Sequence, residues 1–205
     1  MILFLRKIAE KLIKFCYRVK IYGKENVPDG GVMIVCNHFS ILDPVFLLSV
    51  YSKKDVRFLS KKEATDKGAF GKALIKAGAI PVDREKPSME SIITCVKTLK
   101  NGQKLVLFPE GTRNKTGTNE IQPIKAGAAI FAIKAKTPIL PIAILKKGKF
   151  FRKTPILVGK PFELTEFYDK KLTAEITEEI NEVVRQKMIE VHNELIEKVT
   201  KKKAK

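Results

Sequence analysis

Apolar and polar positions recur along this chain with two different periods, and the switches between them outline its elements. Over residues 1–19, Arg6, Lys7, Glu10, Lys11, Lys14 and Arg18 share one arc of a helical wheel. Ile2, Leu5, Ile8, Leu12, Phe15, Cys16 and Val19 cover the opposite arc. This spacing predicts an amphipathic helix with a mostly cationic polar face. On pattern alone two placements fit equally: the helix lies on the protein's own core, or in the interface of an anionic membrane. Turn residues 26–31 then lead into the apolar run 32–36, which has the length and flanks of a buried strand.

Short apolar runs at 56–59, 78–82, 105–108, 139–144 and 156–158 predict further strands. Asp43-Pro44 opens a helix to about residue 52, with Asp43 as N-cap and Pro44 at the first helical position. Further helices are expected over 63–77, 89–100, 126–136 and 173–200, the second of them closed by Asn101-Gly102. The last carries Glu175, Glu178 and Glu179 early and lysines late, as the helix dipole favours. Strands alternating with helices predict an α/β fold: a single domain with a mostly parallel central sheet flanked by helices. We divide it into a surface helix over 1–20, an α/β body over 21–170, and a C-terminal helix with a basic tail over 171–205.

Composition alters this picture in one respect. At 205 residues, with 44% hydrophobic and 30% charged residues, the chain is long and apolar enough for one ordinary globular core. The net charge of +18 is not ordinary, and it implies an anionic partner: nucleic acid, an anionic membrane, or a phosphate-rich or acidic donor. Cys16, Cys36 and Cys95 lie far apart, without a C-x-x-C pair, and read as reduced, semi-buried residues. The apolar start at residues 1–5 is too short for a secretory signal core, and no uncharged apolar run is long enough to span a bilayer. The expected state is soluble or surface-attached.

Two histidines carry the candidate chemistry. His192 lies in the C-terminal helix among Glu190, Asn193 and Glu194 and is expected at the surface. His38 follows directly on the strand at 32–36, in Asn37-His38-Phe39-Ser40-Ile41-Leu42-Asp43. An Asp43 carboxylate on one imidazole nitrogen would fix the tautomer and leave the other as a base. Taken as a pair alone, the plainer reading is favoured, in which Asp43 caps a helix and His38 satisfies a loop carbonyl. Three other strand ends carry charge: Lys61 and Lys62, Asp83 and Arg84, and Phe108-Pro-Glu-Gly-Thr-Arg113. In the last, Gly111 permits close backbone approach, Thr112 offers a hydroxyl, Arg113 offers a fork for phosphate oxygens, and Glu110 would hold that arginine or a substrate hydroxyl. Four such ends point to one shared edge, where α/β sheets place ligand sites. No G-x-S-x-G elbow, Walker-type loop or G-x-G-x-x-G occurs, and two histidines with scattered cysteines make no zinc site. The base must therefore act on a group that arrives with substrate.

Asn-His-x-x-x-x-Asp at 37–43, Gly-x-Ile-x-Val-Asp-Arg at 78–84, Phe-Pro-Glu-Gly-Thr-Arg at 108–113 and Leu-Pro-Ile at 140–142 stand in the order of the glycerolipid acyltransferase motifs. The chain resembles the bacterial 1-acylglycerol-3-phosphate (lysophosphatidate) acyltransferases over roughly residues 27–144. That resemblance implies acyl transfer from acyl-CoA or an acyl-acyl carrier protein to the sn-2 hydroxyl of lysophosphatidate. It implies His38 as general base, Asp43 as its partner, and Arg84, Arg113 and Lys61 as phosphate contacts. Glu110, Gly111 and Thr112 would shape the acceptor site, and the Pro141 segment would wall the acyl pocket. No cofactor or metal is implied. Two departures are visible: Pro81 stands where a bulkier residue is often found, and Asn114-Lys115 where Ser-Arg is common. Lipid substrates shift the N-terminal helix toward the interfacial reading, at the cytoplasmic face of the cell membrane as a peripheral or monotopic protein. Rival readings are acylation of another acceptor, such as glycerol 3-phosphate or a different lysophospholipid, and a basic nucleic-acid-binding protein. The second is disfavoured, because no stacking platform or reading motif is present and tryptophan is absent.

Overall fold

A computed structural model describes residues 15–51, 55–83, 88–116, 118–125 and 129–201. Seven strands form one sheet: β1 Val19–Tyr22, β2 Val32–Cys36, β3 Val56–Lys61, β4 Ala79–Val82, β5 Lys104–Leu107, β6 Ile139–Ile144 and β7 Thr154–Val158. The order across the sheet is β1-β7-β6-β2-β5-β3-β4. Every neighbouring pair is parallel except β6 with β7. The helices are α1 Asp43–Leu48, α2 Lys62–Thr65, α3 Gly68–Lys76, α4 Met89–Lys100, α5 Ile130–Ala135 and α6 Ala174–Lys201.

The central strands are apolar throughout because both faces are covered. In β2 every residue is buried, and successive side chains enter opposite cores. Met33 and Val35 join the layer that holds Leu99 of α4, Phe131 of α5, and Ile180, Val184 and Met188 of α6. Val32, Ile34 and Cys36 face Tyr17 and Phe46, Leu47, Val50 and Tyr51, on and just after α1. β5 divides in the same way, with Leu105 and Leu107 on one side and Val106 on the other. Ser88 caps α4 by accepting from the Ser91 N–H at 3.2 Å.

The α/β class, the mostly parallel sheet and the long C-terminal helix agree with the sequence reading, and four expectations change. The chain is extended by Val19, so the N-terminal helical pattern stops at Tyr17; residues 1–14 lie outside those described. The expected helix over 63–77 is two helices, which meet where α3 brings Gly71 against the Thr65 carbonyl. Asp43 is not the N-cap of α1. Leu42 holds that position, and Asp43 sits inside the first turn with its side chain turned back to the preceding loop. His192 is buried, not at the surface, because it lies one turn beyond Met188 on the face of α6 that covers the sheet.

Candidate active site

β2 and β5 are parallel neighbours with Val35 opposite Leu107, so the loops that follow them leave the same edge side by side. β3 lies beyond β5 and β4 beyond β3, each parallel, which puts Lys61 and Asp83 on that edge too. The shared edge expected from four charged strand ends is therefore the edge the topology builds. Arg84 lies outside the described residues.

The loop after β2 is tied down at each step. Asn37 donates its side-chain N–H to the Ile144 carbonyl at 2.8 Å, and its Oδ1 accepts from the Ile144 N–H at 2.8 Å. This side chain extends the β2–β6 pairing past the last strand residue. His38 is held on four sides. Its N–H donates to Glu110 Oε1 at 3.0 Å, and its carbonyl accepts from the Asn114 N–H at 2.7 Å. Its Nδ1 lies 2.8 Å from Asp43 Oδ2, and its ring stacks on Phe108 with centroids 4.1 Å apart and planes 23° apart. A stacked pair of this kind restricts rotation about the side-chain bonds.

Asp43 is wholly buried, and its Oδ2 also accepts the N–H groups of Phe39 at 2.6 Å and Ser40 at 2.7 Å. Three contacts on Oδ2 offset part of the cost of removing the carboxylate from water, while Oδ1 is buried without a hydrogen-bond partner among the described residues. A carboxylate beside Nδ1 favours the tautomer that carries its proton there. The His38 side chain is 15% exposed. The pair alone left a capping role open; here one oxygen of Asp43 accepts two loop N–H groups and also meets the His38 ring.

Glu110 is buried, with Oε1 on His38 and Oε2 shut away without a partner of hydrogen-bond geometry. Burial pushes its carboxyl up to about 7, against the pull of the His38 and, less directly, Gln122 N–H groups; the Asp43 charge adds to the rise. Its side chain thus holds the His38 backbone in place, whereas Arg113 and Thr112 stand exposed to solvent. Gly111 turns the loop at φ 70°, donating to the Phe108 carbonyl at 3.0 Å, and a Cβ there would meet the Lys125 side chain at 2.6 Å. Lys61 pairs with Glu63 at 2.8 Å, both exposed. Among the described residues no cluster of His, Cys, Asp and Glu is arranged to hold a metal, and no helix is long and apolar enough to cross a membrane.

Sequence reasoning missed the Phe108 stack, the Asn37 clasp and the Asn114 N–H. All three residues stand within or beside the motifs, yet residue type gives no sign that Phe108 lies under an imidazole.

Known proteins share this sequence and fold. The family model described as Acyltransferase matches residues 18–145. A Bacillus subtilis (strain 168) protein named 1-acyl-sn-glycerol-3-phosphate acyltransferase is 35% identical over 181 residues, 82% of this chain and 87% of that protein. A Helicobacter pylori (strain J99) protein of the same name is 36% identical over 129 residues, 62% of this chain and 54% of its own. The crystal structure of the 1-acyl-sn-glycerophosphate (LPA) acyltransferase PlsC from Thermotoga maritima aligns with a TM-score of 0.66, covering 95% of this chain and 79% of that one. At 22% identity, that likeness speaks for the fold. An ordered set of strand-end motifs, a shared fold and a family match over most of the α/β body converge: the chain is an enzyme of the acyltransferase family.

Proposed function

We propose that this enzyme moves a fatty acyl group from an acyl thioester to the sn-2 hydroxyl of 1-acylglycerol 3-phosphate, making phosphatidate for phospholipid synthesis. The observation that carries this reading is the 2.8 Å contact between His38 Nδ1 and the buried Asp43 carboxylate. It leaves Nε2 as the base at the mouth of the charged edge. The names of the relatives in B. subtilis and H. pylori support this choice of acceptor.

In this mechanism Nε2 takes the hydroxyl proton as the oxygen attacks the thioester carbonyl. The tetrahedral intermediate then collapses, the C–S bond breaks, and the imidazolium returns the proton to the departing thiolate. Asp43 holds the ring and stabilises its transient charge, while Glu110 and Phe108 fix where the ring stands. The acceptor phosphate is held by Lys61, Arg84 and Arg113, with Gly111 and Thr112 shaping the floor beneath it. Strands repeat at about 4.8 Å, so the ends of β3 and β4 lie roughly 10 and 14 Å from that of β2. Long cations there reach inward to a phosphate whose hydroxyl lies at His38. The exposed Lys61–Glu63 pair is worth little in water and yields readily to a dianion. Holding both reactants supplies the larger share of the rate enhancement.

The donor is acyl-CoA or an acyl-acyl carrier protein; both are anionic and suit a chain of charge +18. The membrane-surface segment ends before β1, which belongs with the catalytic body to residue 170, and 171–205 are the closing helix and tail. The enzyme works at the cytoplasmic face of the membrane as a peripheral or monotopic protein. The test offers the purified protein lysophosphatidate, glycerol 3-phosphate and a choline lysolipid, each with both donors, and scores product by mass. Phosphatidate should dominate, and His38→Ala should lower turnover by roughly 10²–10⁴-fold with unchanged thermal unfolding. Near-normal turnover in that variant removes the mechanism, and equal use of the choline lysolipid removes the phosphate contacts.

A further inference from the structure

β6 and β7 are joined by residues 145–153, and within this connection Lys146, Lys147, Lys149, Arg152 and Lys153 are all exposed, with no acidic residue among them. The same stretch exposes two aromatic rings, Phe150 at 61% and Phe151 at 63%, and Phe15 lies beside the Cys16 backbone at 73%. Their exposure is held in place. Phe151 adopts φ 54°, a left-handed conformation unfavourable for a bulky side chain, and its N–H donates to the Cys16 carbonyl at 2.6 Å. Phe150 packs on Tyr17 with ring centroids 4.8 Å apart, and Phe151 lies 5.7 Å from Phe150, edge to face. Strained backbone that keeps large apolar rings in water, ringed by cations, calls for something to cover them.

The connection also touches the catalytic end of the fold. Ile144, the last residue of β6, is the one clasped by Asn37, the neighbour of His38. A Cβ added at Gly148 would fall 2.7 Å from the ring of Phe46 and 3.2 Å from that of Tyr17. Phe46 lies one turn along α1 from Asp43. In the loop between His38 and Asp43, Ile41 is itself 66% exposed.

We propose that residues 145–153, with Phe15, form a docking surface for an anionic lipid bilayer. Phe150 and Phe151 enter the acyl-chain boundary while the five cations meet the headgroups. Docking by this face brings the catalytic loop to the bilayer, so that acceptor passes to His38 without crossing bulk water. The charge selects the occupant. A second copy of the chain would oppose like charge to like, whereas an anionic bilayer offers both the apolar depth and the counter-charge. The proposal rests on an acceptor drawn from a membrane, and its test reads vesicle binding and chemistry separately.

The full chain is floated with vesicles of phosphatidylcholine alone and with vesicles containing phosphatidylglycerol. Phe150→Ser/Phe151→Ser should lose about tenfold or more in affinity for the anionic vesicles. Its turnover on a short-chain lysophosphatidate kept monomeric should stay within about twofold. Lys146→Gln/Lys147→Gln/Lys149→Gln should weaken binding severalfold per charge at low salt and little at high salt. Because the protein has no tryptophan, Phe151→Trp makes a single reporter whose emission should shift to the blue on anionic vesicles. Unchanged affinity in the double Phe variant, or an unshifted emission from the Phe151→Trp protein, overturns the proposal. So does a single-stranded oligonucleotide that binds as tightly as the vesicles and is lost in the same variant. Vesicle binding that follows the Phe pair, in an enzyme inert toward lysophosphatidate, would uphold the surface and sink the assigned acceptor.

Discussion

His38 and His192 occupy two regions that treat the same side chain in opposite ways. His38 sits at a strand end, where a carboxylate, a second acid, a backbone N–H and an aromatic face converge on it. His192 lies midway along α6 with the Leu145 carbonyl as acceptor for its ring, no acid on the ring, and Nε2 buried without a partner. Desolvation holds its ring below the usual imidazole range, against that carbonyl's pull. One environment sets a buried carboxylate against a part-exposed ring. The other keeps the ring neutral and shut in. The difference lies in what meets the ring: an acid at Nδ1 in one case, a backbone carbonyl in the other.

The comparison breaks most sharply at Asp43. Asp43→Asn retains an acceptor for some of the loop N–H groups but no longer fixes the imidazole tautomer, so turnover should fall by about 10²–10⁴-fold. Asp43→Ala should in addition lower stability by about 3 kcal/mol or more, since three donors lose their acceptor. Denaturant unfolding separates the two variants. If Asp43→Asn turns over normally, the two histidines are not distinguished by their acids.

Glu110 sharpens the contrast through pH. Its carboxyl stands at about 7 when folded and near 4.5 when unfolded, so between those values the folded state binds the extra proton. Its ionisation therefore costs stability as pH rises through that window. Glu110→Gln should remove the slope, and the wild-type stability relative to the variant should fall by about 2–3 kcal/mol from pH 4.5 to 7. Parallel stability curves for the two proteins would refute the assignment.

A smaller effect is expected at Phe108. Phe108→Leu keeps the site apolar but removes the stacked face, worth about 1 kcal/mol, and should lower kcat severalfold with little change in KM. His192→Phe should matter least to chemistry, with turnover within about twofold of wild type. A histidine whose folded value is lowered loses stability as pH falls through the unfolded value of 6.5. The variant should therefore resist acid better than the wild type. A large loss of turnover in His192→Phe would erase the distinction between the two regions.

Much of this molecule is determined locally and is legible in its sequence. The apolar runs of β2 and β6 are visible because central strands of a parallel sheet are buried on both faces, and α4 because a serine cap and an Asn-Gly stop frame it. Residue type and motif order single out His38, Asp43 and Glu110. What the sequence did not carry was settled by packing. β1 escaped notice because Val19–Tyr22 is an edge strand, half-buried along its length and continuous with a helical pattern. The face of α6 that buries His192 is chosen by the sheet it covers. The same is true of the roles of Phe108 and Glu110, which depend on β5 lying next to β2. Side-chain type and spacing are properties of the chain itself; which groups meet across 72 residues, as the His38 N–H and Glu110 do, is decided only when the strands take their places.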